Sequence, residues 1–495
     1  MNETTGQTDC VRRGSARSYR PLSDFAPQDN GEPLDPTYVA EHMLPLFEYA
    51  AEVIPPSYHP DTAVTYQATA GMRLLTEDQQ EDVYDALYEG LLQSETFVFS
   101  RLARSDLATL SGEMEGFFGA VAANYLKGIV DSKLRANGND HMMDYDMYND
   151  DDGNNDNEQD SVSGRVPLGA MDMGGSSTQI VYMPAPESTD NNDSQGFPSR
   201  LHEDHFFSVS HLAYGVDRFR ERLWDTWIDE RDATCTDHSC NDDPIRNPCA
   251  NPGYELLRRN HKLIGTGDTD ECVRQIQRLL PTYGVVAPTT TTTTTETDSN
   301  TKETTFPPRK VAGVEHPPLQ GKFVAMSLFF FSLDSLRVLS APAQTAHEAL
   351  NKAWPTPSIQ ELHDALDGLC SRSWHDDLVH IQHNSHAYTR AEVLPHRCFE
   401  SAYLATLLRD GYGFAPESRD VTFTFLVDGS EVEWSLGMAL TQHADEYEAA
   451  AQRKTDTSNN KTFEHECEPT STTTTTTSTS ENHSQHAPQQ VLLVT

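Results

Sequence analysis

Three short stretches of the sequence each lead from apolar, strand-forming residues into a turn that contains glycine. They are YQATAGMRLL at residues 66–75, SGEMEGFFGAVAANYL at 111–126 and GAMDMGGSSTQI at 169–180. Glycine has no side chain, so backbone N–H groups and neighbouring hydroxyls at such turns can closely approach an anion. Apolar residues at helical spacing in 37–53 and 78–92 add helices to these strands. The sequence therefore predicts a mixed α/β fold with polar turns at its strand ends.

The third stretch carries the strongest chemical signal. An acidic residue stands two positions before a double glycine, and hydroxyl and amide side chains follow. These residues are Asp172, Gly174, Gly175, Ser176, Ser177, Thr178 and Gln179. Backbone amides and hydroxyls in this order can hold a phosphate while Asp172 reaches a hydrated metal ion. The stretch therefore predicts a phosphate-binding turn beside a metal site.

The other two stretches each have two interpretations when they are taken alone. Thr69 and Gly71 form a small-residue turn followed by Arg73, which is typical of an anion site but also of an ordinary strand-to-helix turn. Glu113 and Glu115 stand beside glycines at the start of a helix, where a carboxylate either accepts a proton from water or stabilises the helix end. The residues alone leave both alternatives open.

Charge limits the partners of the chain. It has 36 Lys and Arg against 76 Asp and Glu, a formal net charge of −40 at pH 7. Such a surface repels nucleic-acid backbones and anionic membranes and attracts metal ions. We therefore expect no nucleic-acid partner, and we expect a nucleotide substrate to arrive with its charge neutralised by a divalent cation.

The eight cysteines show no paired CxxC pattern of a zinc site, so disulfides and an oxidising compartment are favoured. The N-terminus has no apolar signal region, and no run of about 18 apolar residues occurs. The most apolar stretch, 323–339, contains Asp334 and Arg337 and predicts a buried strand that leads into a helix. If the cysteines are oxidised, we expect a targeting segment or membrane anchor to be missing from this chain.

Three low-complexity segments interrupt these patterns. Residues 136–163 are polar and acidic, 288–308 contain a threonine run, and 455–490 contain a second Ser/Thr run. Such segments cannot bury enough apolar surface to fold, so they are predicted to be disordered.

The three glycine-containing stretches, in this order, resemble the second, third and fourth conserved regions of the apyrase family, the nucleoside triphosphate diphosphohydrolases. SVSHLAYGVDRFRERL and VEWSLGMAL resemble later regions, so the resemblance extends from residue 35 to 442 apart from the low-complexity segments. It implies an α/β fold of two ribonuclease-H-like (actin-like) lobes, with nucleotide and Ca²⁺ or Mg²⁺ in the cleft between them. The implied reaction is hydrolysis of the terminal phosphate of nucleoside tri- and/or diphosphates by water, without a phosphoenzyme.

The resemblance also implies a role for each polar residue of these stretches. Glu115 matches the general base because it directly precedes a glycine, and Ser177 matches the serine that positions the attacking water. Asp172 and Gln179 match residues that hold the metal through bound water. These roles supply what phosphoryl transfer requires. The implied phosphate-binding residues are Thr69, Gly71, Gly174, Gly175, Ser176 and Thr178.

In the second half of the chain, the resemblance implies an aromatic contact to the base and two disulfides. Phe330 or Phe331 falls where the family stacks a tyrosine on the base, and Trp434 matches a tryptophan of the cleft; buried core aromatics remain the alternative for the phenylalanines. Cys249 with Cys272, and Cys370 with Cys398, match pairs of the family. Cys235 and Cys240 could close a small loop of their own.

The sequence departs from the family pattern in one respect. Residues 1–65 contain no DxGS(S/T) motif, the family's first conserved region. We therefore expect the N-terminal lobe to lack its first strand and phosphate loop, and a catalytically impaired or inactive protein that binds nucleotide or a partner is the alternative function. The expected divisions are an N-terminal lobe at 1–165, a second lobe at 166–430, a return segment at 431–454 and a tail at 455–495. Relatives of this kind are expected in the secretory pathway or membrane, with membrane contact only through an anchor not present here.

Overall fold

The computed structural model describes residues 20–27, 33–137, 166–184, 197–235, 243–281, 310–341, 345–381, 385–427, 429–463 and 491–494. It divides into two compact units, unit 1 (Met1–Ser111 with Ala450–Thr495) and unit 2 (Gly112–Ala449). The expected lobe boundaries after residues 165 and 430 both fall within unit 2, and they stay predictions. Most of the three low-complexity segments lies outside the described residues.

The α-helices of the described residues, in chain order, are α1 (Pro36–Val53), α2 (Ala70–Arg73), α3 (Glu77–Gln93), α4 (Gly112–Leu126), α5 (Val216–Thr234), α6 (Thr269–Leu279), α7 (Leu328–Leu339), α8 (Thr345–Ala353), α9 (Ile359–Cys370), α10 (Arg397–Thr406) and α11 (Trp434–Phe463). The strands are β1 (Ala63–Ala68), β2 (Leu107–Thr109), β3 (Gly169–Met173), β4 (Ser177–Tyr182), β5 (Phe207–Leu212), β6 (Ile245–Asn247), β7 (Glu255–Arg258), β8 (His261–Gly265), β9 (Lys310–Val311), β10 (Val314–Glu315), β11 (Phe323–Ala325), β12 (Val421–Phe423), β13 (Leu426–Val427), β14 (Ser430–Glu431) and β15 (Val491–Val494).

The helices predicted at 37–53 and 78–92 are confirmed as α1 and α3, and local signals fix their starts. The Asp35 side chain accepts a hydrogen bond from the Thr37 amide, and proline occupies the first position of α1. Thr76 and Gln79 form a reciprocal capping box at the start of α3. The strand-to-helix pattern predicted at 323–339 is likewise confirmed by β11 and α7.

The predicted tail differs from the structure at both of its ends. Helix α11 extends to Phe463, so residues 455–463 are helical rather than disordered, because the strong helix formers before them propagate the helix. The last described segment, β15, pairs in parallel with β1. Its four apolar residues have the high strand propensity that the Ser/Thr run before them lacks.

Unit 1 contains a parallel sheet in the order β15–β1–β2. Helices α1 and α3 bury their apolar stripes against each other and the sheet, which produces one core. Members of this core include Val39, Met43, Phe47, Val83 and Leu87. The expectation that this lobe lacks its first strand stays a prediction.

Unit 2 is built on a five-stranded mixed sheet in the order β12–β11–β3–β4–β5. Strand β11 is parallel to β3 and β12, whereas β3–β4 and β4–β5 are antiparallel. Helix α4 covers one face of this sheet, and α5, α7, α9 and α10 form a larger core on the other face. The predicted α/β class is therefore confirmed.

Two disulfides implied by the resemblance are confirmed. Cys249 bonds to Cys272 and Cys370 bonds to Cys398, with a Cα–Cα distance of 4.9 Å in each pair. Cys235 also takes part in a disulfide, but Cys240, its predicted partner, lies outside the described residues.

None of the helices in the described part of the chain combines the length and apolar character that crossing a bilayer requires.

Candidate active site

Strand alternation directs the predicted site residues of β3 and β4 toward α4. Ala170 and Val181 pack with buried alanines of α4. Because successive strand side chains point to opposite faces, Asp172, Ser177 and Gln179 point to the same face as these two. The helix that covers this face is the one that carries the glutamate predicted as general base.

Gln179 connects the predicted catalytic residues. Its Nε2 donates to Glu115 Oε2 at 3.0 Å and to Ser177 Oγ at 2.8 Å, and lies 3.0 Å from Ser210 Oγ. A carboxylate only accepts hydrogen bonds, so the contact with Glu115 fixes the amide with its nitrogen toward this group. The structure therefore brings Glu115, Ser177 and Gln179 together around one amide.

Glu115 is 8% exposed and lies in the first turn of α4. The next residue, Gly116, permits the close approach of this helix to the sheet, because an added Cβ would lie 2.6 Å from Val181 Cγ2 and 3.2 Å from Gln179 Cβ. The Ser208 hydroxyl donates to the Glu113 carbonyl at 2.7 Å and ties β5 to the same turn. Glu113 itself is exposed. Packing therefore buries Glu115, the glutamate predicted as general base, and leaves Glu113 exposed.

The double-glycine turn packs against the start of α5. The amides of Val216 and Asp217 donate to the carbonyls of Gly174 and Gly175, both at 3.0 Å. A Cβ on Gly215 would lie 2.3 Å from the Gly175 carbonyl carbon. The glycines thus have a packing role that the sequence pattern did not indicate, and their predicted phosphate contacts, with that of the half-buried Ser176, stay predictions.

Asp172 has one carboxylate oxygen without a partner. Oδ1 is buried and no described residue donates a hydrogen bond to it. Burial raises the pKa of the Asp172 carboxyl, and the nearby Ser327 hydroxyl and Met173 amide oppose that rise. An unpaired buried acceptor is destabilising unless water or a cation completes it.

A hydrated divalent cation fits this oxygen. The described residues contain no group of three or more His, Cys, Asp or Glu side chains arranged for direct metal binding. Carboxylate, amide and hydroxyl oxygens are the donors that Mg²⁺ and Ca²⁺ prefer, and Mg²⁺ in particular keeps several of its waters. Asp172 and Gln179 are therefore suited to hold such an ion through water, as the resemblance implies.

Thr178 points to the opposite face of β4. It is fully buried, and its hydroxyl lies 2.9 Å from the Asp172 carbonyl oxygen and 3.0 Å from the Tyr412 hydroxyl. The alternation of side chains along a strand would have predicted from the sequence that Thr178 points away from Ser177 and Gln179. Its predicted phosphate contact stays a prediction, although its side chain is engaged in the core.

Next to Thr178, the buried imidazole of His211 faces the half-buried imidazole of His316. His211 Nε2 lies 3.0 Å from His316 Nε2, and both rings lie beside Tyr412. Burial lowers the pKa of His211 to about 3 and that of His316 to about 4. Burial is also the main cause that lowers the pKa values of His363 and His396 to about 4.

These four histidines predict acid destabilisation of unit 2. In the unfolded chain each imidazole has its ordinary pKa of 6.5, whereas in the folded unit burial prevents protonation down to about pH 4. Stability is therefore full above pH 6.5 and decreases toward pH 4, by about 1.4 kcal/mol per pH unit for each imidazole that only the unfolded chain protonates. Urea unfolding followed from pH 8 to pH 4 measures this slope. A flat profile for the wild-type chain, or no reduction of the slope in His363→Gln, would contradict the assignment.

In unit 1, Thr69 lies between β1 and α2, and Gly71 is the second residue of α2. The Thr69 carbonyl accepts the Met72 amide at 3.0 Å, and a Cβ on Gly71 would lie 2.8 Å from Ser23 Oγ. Arg73 donates to the Leu110 carbonyl at 2.8 Å. The turn therefore has a structural role within unit 1, and its phosphate contacts stay predictions.

Phe330 and Phe331 belong to a half-buried aromatic cluster at the start of α7. Phe330 lies 4.9 Å from the ring of Phe425, and Phe331 lies 4.9 Å from the ring of Tyr388. Trp434 is the half-buried first residue of α11. The two phenylalanines keep part of their surface exposed, and their stacking on a base, like the cleft role of Trp434, stays a prediction.

Comparisons with known proteins agree with these features. Residues 33–458 match the GDA1/CD39 (nucleoside phosphatase) family. The chain is 27% identical over 423 residues to ectonucleoside triphosphate diphosphohydrolase 8 of Bos taurus, which covers 82% of this chain and 72% of the relative. It is 26% identical over 419 residues to ectonucleoside triphosphate diphosphohydrolase 1 of Mus musculus, which covers 81% of this chain and 69% of the relative.

A solved structure of nucleoside triphosphate hydrolases from Neospora caninum is similar in fold. It aligns with a TM-score of 0.51 and 13% identity, and covers 86% of this chain and 83% of that one. At this identity the similarity concerns the fold alone, and it agrees with the α/β architecture described above.

Proposed function

The chain belongs to the GDA1/CD39 (nucleoside phosphatase) family, and on this premise we propose that it hydrolyses the terminal phosphate of nucleoside tri- and/or diphosphates. The observation that carries the proposal is the shared amide of Gln179, which hydrogen-bonds Glu115 and Ser177. A proton acceptor and a hydroxyl held within reach of one another are what in-line attack by water requires.

In this mechanism Glu115 accepts the proton of the attacking water. The water oxygen forms a bond to the terminal phosphorus, the bond from phosphorus to the bridging oxygen breaks, and the shortened nucleotide leaves. The Ser177 hydroxyl orients the water, and the Gln179 amide fixes the Glu115 carboxylate by donation to Oε2. Because water attacks directly, no phosphorylated side chain forms.

The unpaired Oδ1 of Asp172 supports a divalent cation, Ca²⁺ or Mg²⁺, beside this arrangement. When bound, such an ion neutralises phosphate charge, which a chain of net charge −40 could not do alone. Asp172 and the carbonyl oxygen of Gln179 would hold it through water.

The proposed substrate contacts extend to both glycine turns and the aromatic cluster. Backbone amides and hydroxyls would bind phosphate, and the exposed part of Phe330 or Phe331 would stack on the base, for which the ring face suffices. Trp434 is proposed to line the same nucleotide site. The proposed phosphate-binding residues are Thr69, Gly71, Gly174, Gly175 and Ser176; Thr178, whose hydroxyl faces the core on the opposite side of β4, is not one of them.

A location in the secretory pathway or at a membrane is proposed as well. Its support is the pair of disulfides, because disulfides persist in oxidising compartments.

Phosphate release tests the function. We expect the purified chain to release phosphate from one or more of ATP, ADP, UDP and GDP in the presence of Ca²⁺ or Mg²⁺. EDTA should abolish release, and excess cation should restore it, because the cation is needed to neutralise the phosphates. Phosphate release that persists in EDTA would contradict the proposed requirement for a divalent cation. Nucleotide binding without any release would support instead the alternative of an impaired, nucleotide-binding protein.

A further inference from the structure

Tyr388 joins the aromatic cluster of Phe330 and Phe331 from a loop. Its ring lies 5.7 Å from that of Phe330, 4.9 Å from that of Phe331 and 5.1 Å from that of Phe425. Residues 385–390 around it contain neither helix nor strand, so the hydrogen bonds of regular secondary structure do not fix this ring. Its position depends on side chains that reach the loop from elsewhere in unit 2.

Arg397, the first residue of α10, is the side chain that reaches the loop. It is 2% exposed, and each nitrogen of its guanidinium donates a hydrogen bond. Nη2 donates to the Tyr388 carbonyl at 2.7 Å, and Nε donates to the Thr389 hydroxyl at 2.9 Å. Nη1 donates to Ser332 Oγ at 2.9 Å and to Glu400 Oε2 at 2.6 Å. One side chain thus ties the loop of Tyr388 to α7 and α10.

A second set of hydrogen bonds ties the same loop to α7. The Thr389 hydroxyl lies 2.7 Å from His386 Nδ1, and His386 Nε2 lies 3.0 Å from Asp334 Oδ2. Because a guanidinium only donates, the Thr389 oxygen accepts from Arg397, and its own proton points to His386 Nδ1 when that imidazole is neutral. Nε2 then donates to Asp334. The residues on both sides of Tyr388 are therefore held together with its carbonyl.

Stability alone does not explain the buried pair of Arg397 and Glu400. Glu400 is 3% exposed, and the mutual attraction of two buried charges often fails to offset the loss of their hydration. Apolar residues of similar volume would avoid that loss. The guanidinium does, however, set several acceptors in fixed directions, which the single ammonium group of lysine cannot do. The pair is therefore suited to enforce one arrangement of the loop.

We propose that Arg397 is a positioning residue that holds the Tyr388 ring against Phe331 and so keeps the aromatic cluster in the shape that receives the base. The inference rests on the proposed function, in which Phe330 or Phe331 stacks on the base. Arg397 is itself buried and acts through the loop. It therefore contributes to affinity for the base and not to the transfer of phosphate.

Two substitutions loosen the loop while the buried charges stay balanced. Arg397→Lys keeps a positive charge beside Glu400 but cannot also reach Tyr388 and Thr389. Thr389→Val removes the hydroxyl that connects Arg397 with His386, whereas Thr389→Ser retains it.

Arg372→Lys is the matched control. Arg372 also donates to a carboxylate, that of Asp377, and to a backbone carbonyl, that of Leu339. These partners lie outside the aromatic cluster and its loop. The control therefore shows what the loss of a guanidinium does elsewhere in unit 2.

The test compares a ligand that has a base with one that has none. For each protein, the Kd of a non-hydrolysable ATP analogue and the Kd of imidodiphosphate are measured by calorimetry with Mg²⁺ or Ca²⁺. Values of KM and kcat are measured in parallel for ATP and for inorganic tripolyphosphate. Thermal unfolding establishes that every variant is folded at the temperature of these measurements.

We expect Arg397→Lys and Thr389→Val to raise the Kd of the ATP analogue and the KM of ATP about tenfold, because stacking of a base on aromatic rings is worth that order. Both variants should keep kcat, the Kd of imidodiphosphate and the KM of tripolyphosphate within about twofold of the wild type. Thr389→Ser and Arg372→Lys should behave like the wild type toward both ligands.

A purely structural role of Arg397 predicts a different pattern. If Arg397→Lys and Thr389→Val bind the ATP analogue as tightly as the wild type, or lose affinity for imidodiphosphate to the same extent, the inference is wrong. It is also wrong if Arg372→Lys shows the same selective loss, or if the wild type binds the analogue no more tightly than imidodiphosphate. Nucleotide binding that depends on Arg397 in a chain that releases no phosphate would contradict the proposed function and leave the inference standing.

Discussion

Glu115→Gln should reduce phosphate release by a factor of about 10² to 10⁴, the usual contribution of a general base. The amide has nearly the same shape as the carboxylate but cannot accept the proton of the attacking water. Because the substitution keeps the side chain in its place against Gln179, nucleotide affinity and Tm should change little. The measurement is kcat for phosphate release, together with nucleotide binding and thermal unfolding of the same preparation.

Glu113→Gln is the matched control for this prediction. Both glutamates lie in the first turn of α4, but Glu113 is exposed and the hydrogen bond from Ser208 uses only its backbone carbonyl. Its substitution should leave kcat within about twofold of the wild type, since surface changes of this kind are usually near neutral. If Glu115→Gln retains full activity, or if Glu113→Gln loses it, the proposed proton acceptor is wrong.

Gly437→Ala should destabilise unit 2 by about 2 to 4 kcal/mol. A Cβ at this position of α11 would lie 1.8 Å from the Phe118 carbonyl oxygen and 2.6 Å from its carbonyl carbon. These are backbone atoms of α4, so no side-chain rotation can relieve the clash and the two helices must separate. Urea unfolding measures the loss, and activity should fall with it because α4 carries Glu115.

Gly119→Ala on α4 provides the comparison. The atom nearest to its added Cβ is the end of the flexible Met326 side chain at 3.4 Å, an ordinary contact. Alanine also has the higher helix propensity, so this variant should be neutral or slightly more stable. Equal destabilisation by both substitutions would show that the α4–α11 contact is not the reason for Gly437.

Much of the local structure could be predicted because its causes are local. Asp35 and Thr76 cap the helices that periodicity indicated. In the third glycine stretch, the strand-forming residues predicted from the sequence form β3 and β4, and the double glycine lies in the tight turn between them. The pairing of the cysteines was predicted from the family resemblance instead, because the spacing of cysteines alone does not show which of them form a disulfide.

The candidate site could be predicted only in part. The residue types of the three stretches, together with the family resemblance, predicted Glu115, Ser177, Asp172 and Gln179 as site residues, and their catalytic roles stay predictions that the experiments above test. The contribution of Ser210 was missed because it lies on β5, which joins the site only through sheet pairing. Nothing next to it in the sequence indicates that pairing.

By itself, the sequence determined the α/β class, the glycine turns, the capped helices and the residue types suited to phosphate chemistry, because each depends on neighbours along the chain. Tertiary structure alone decided that Gln179 bonds both Glu115 and Ser177, and that Thr178 faces the core. The physical reason is that sheet register and helix packing set these contacts, and both join segments that are far apart in the chain.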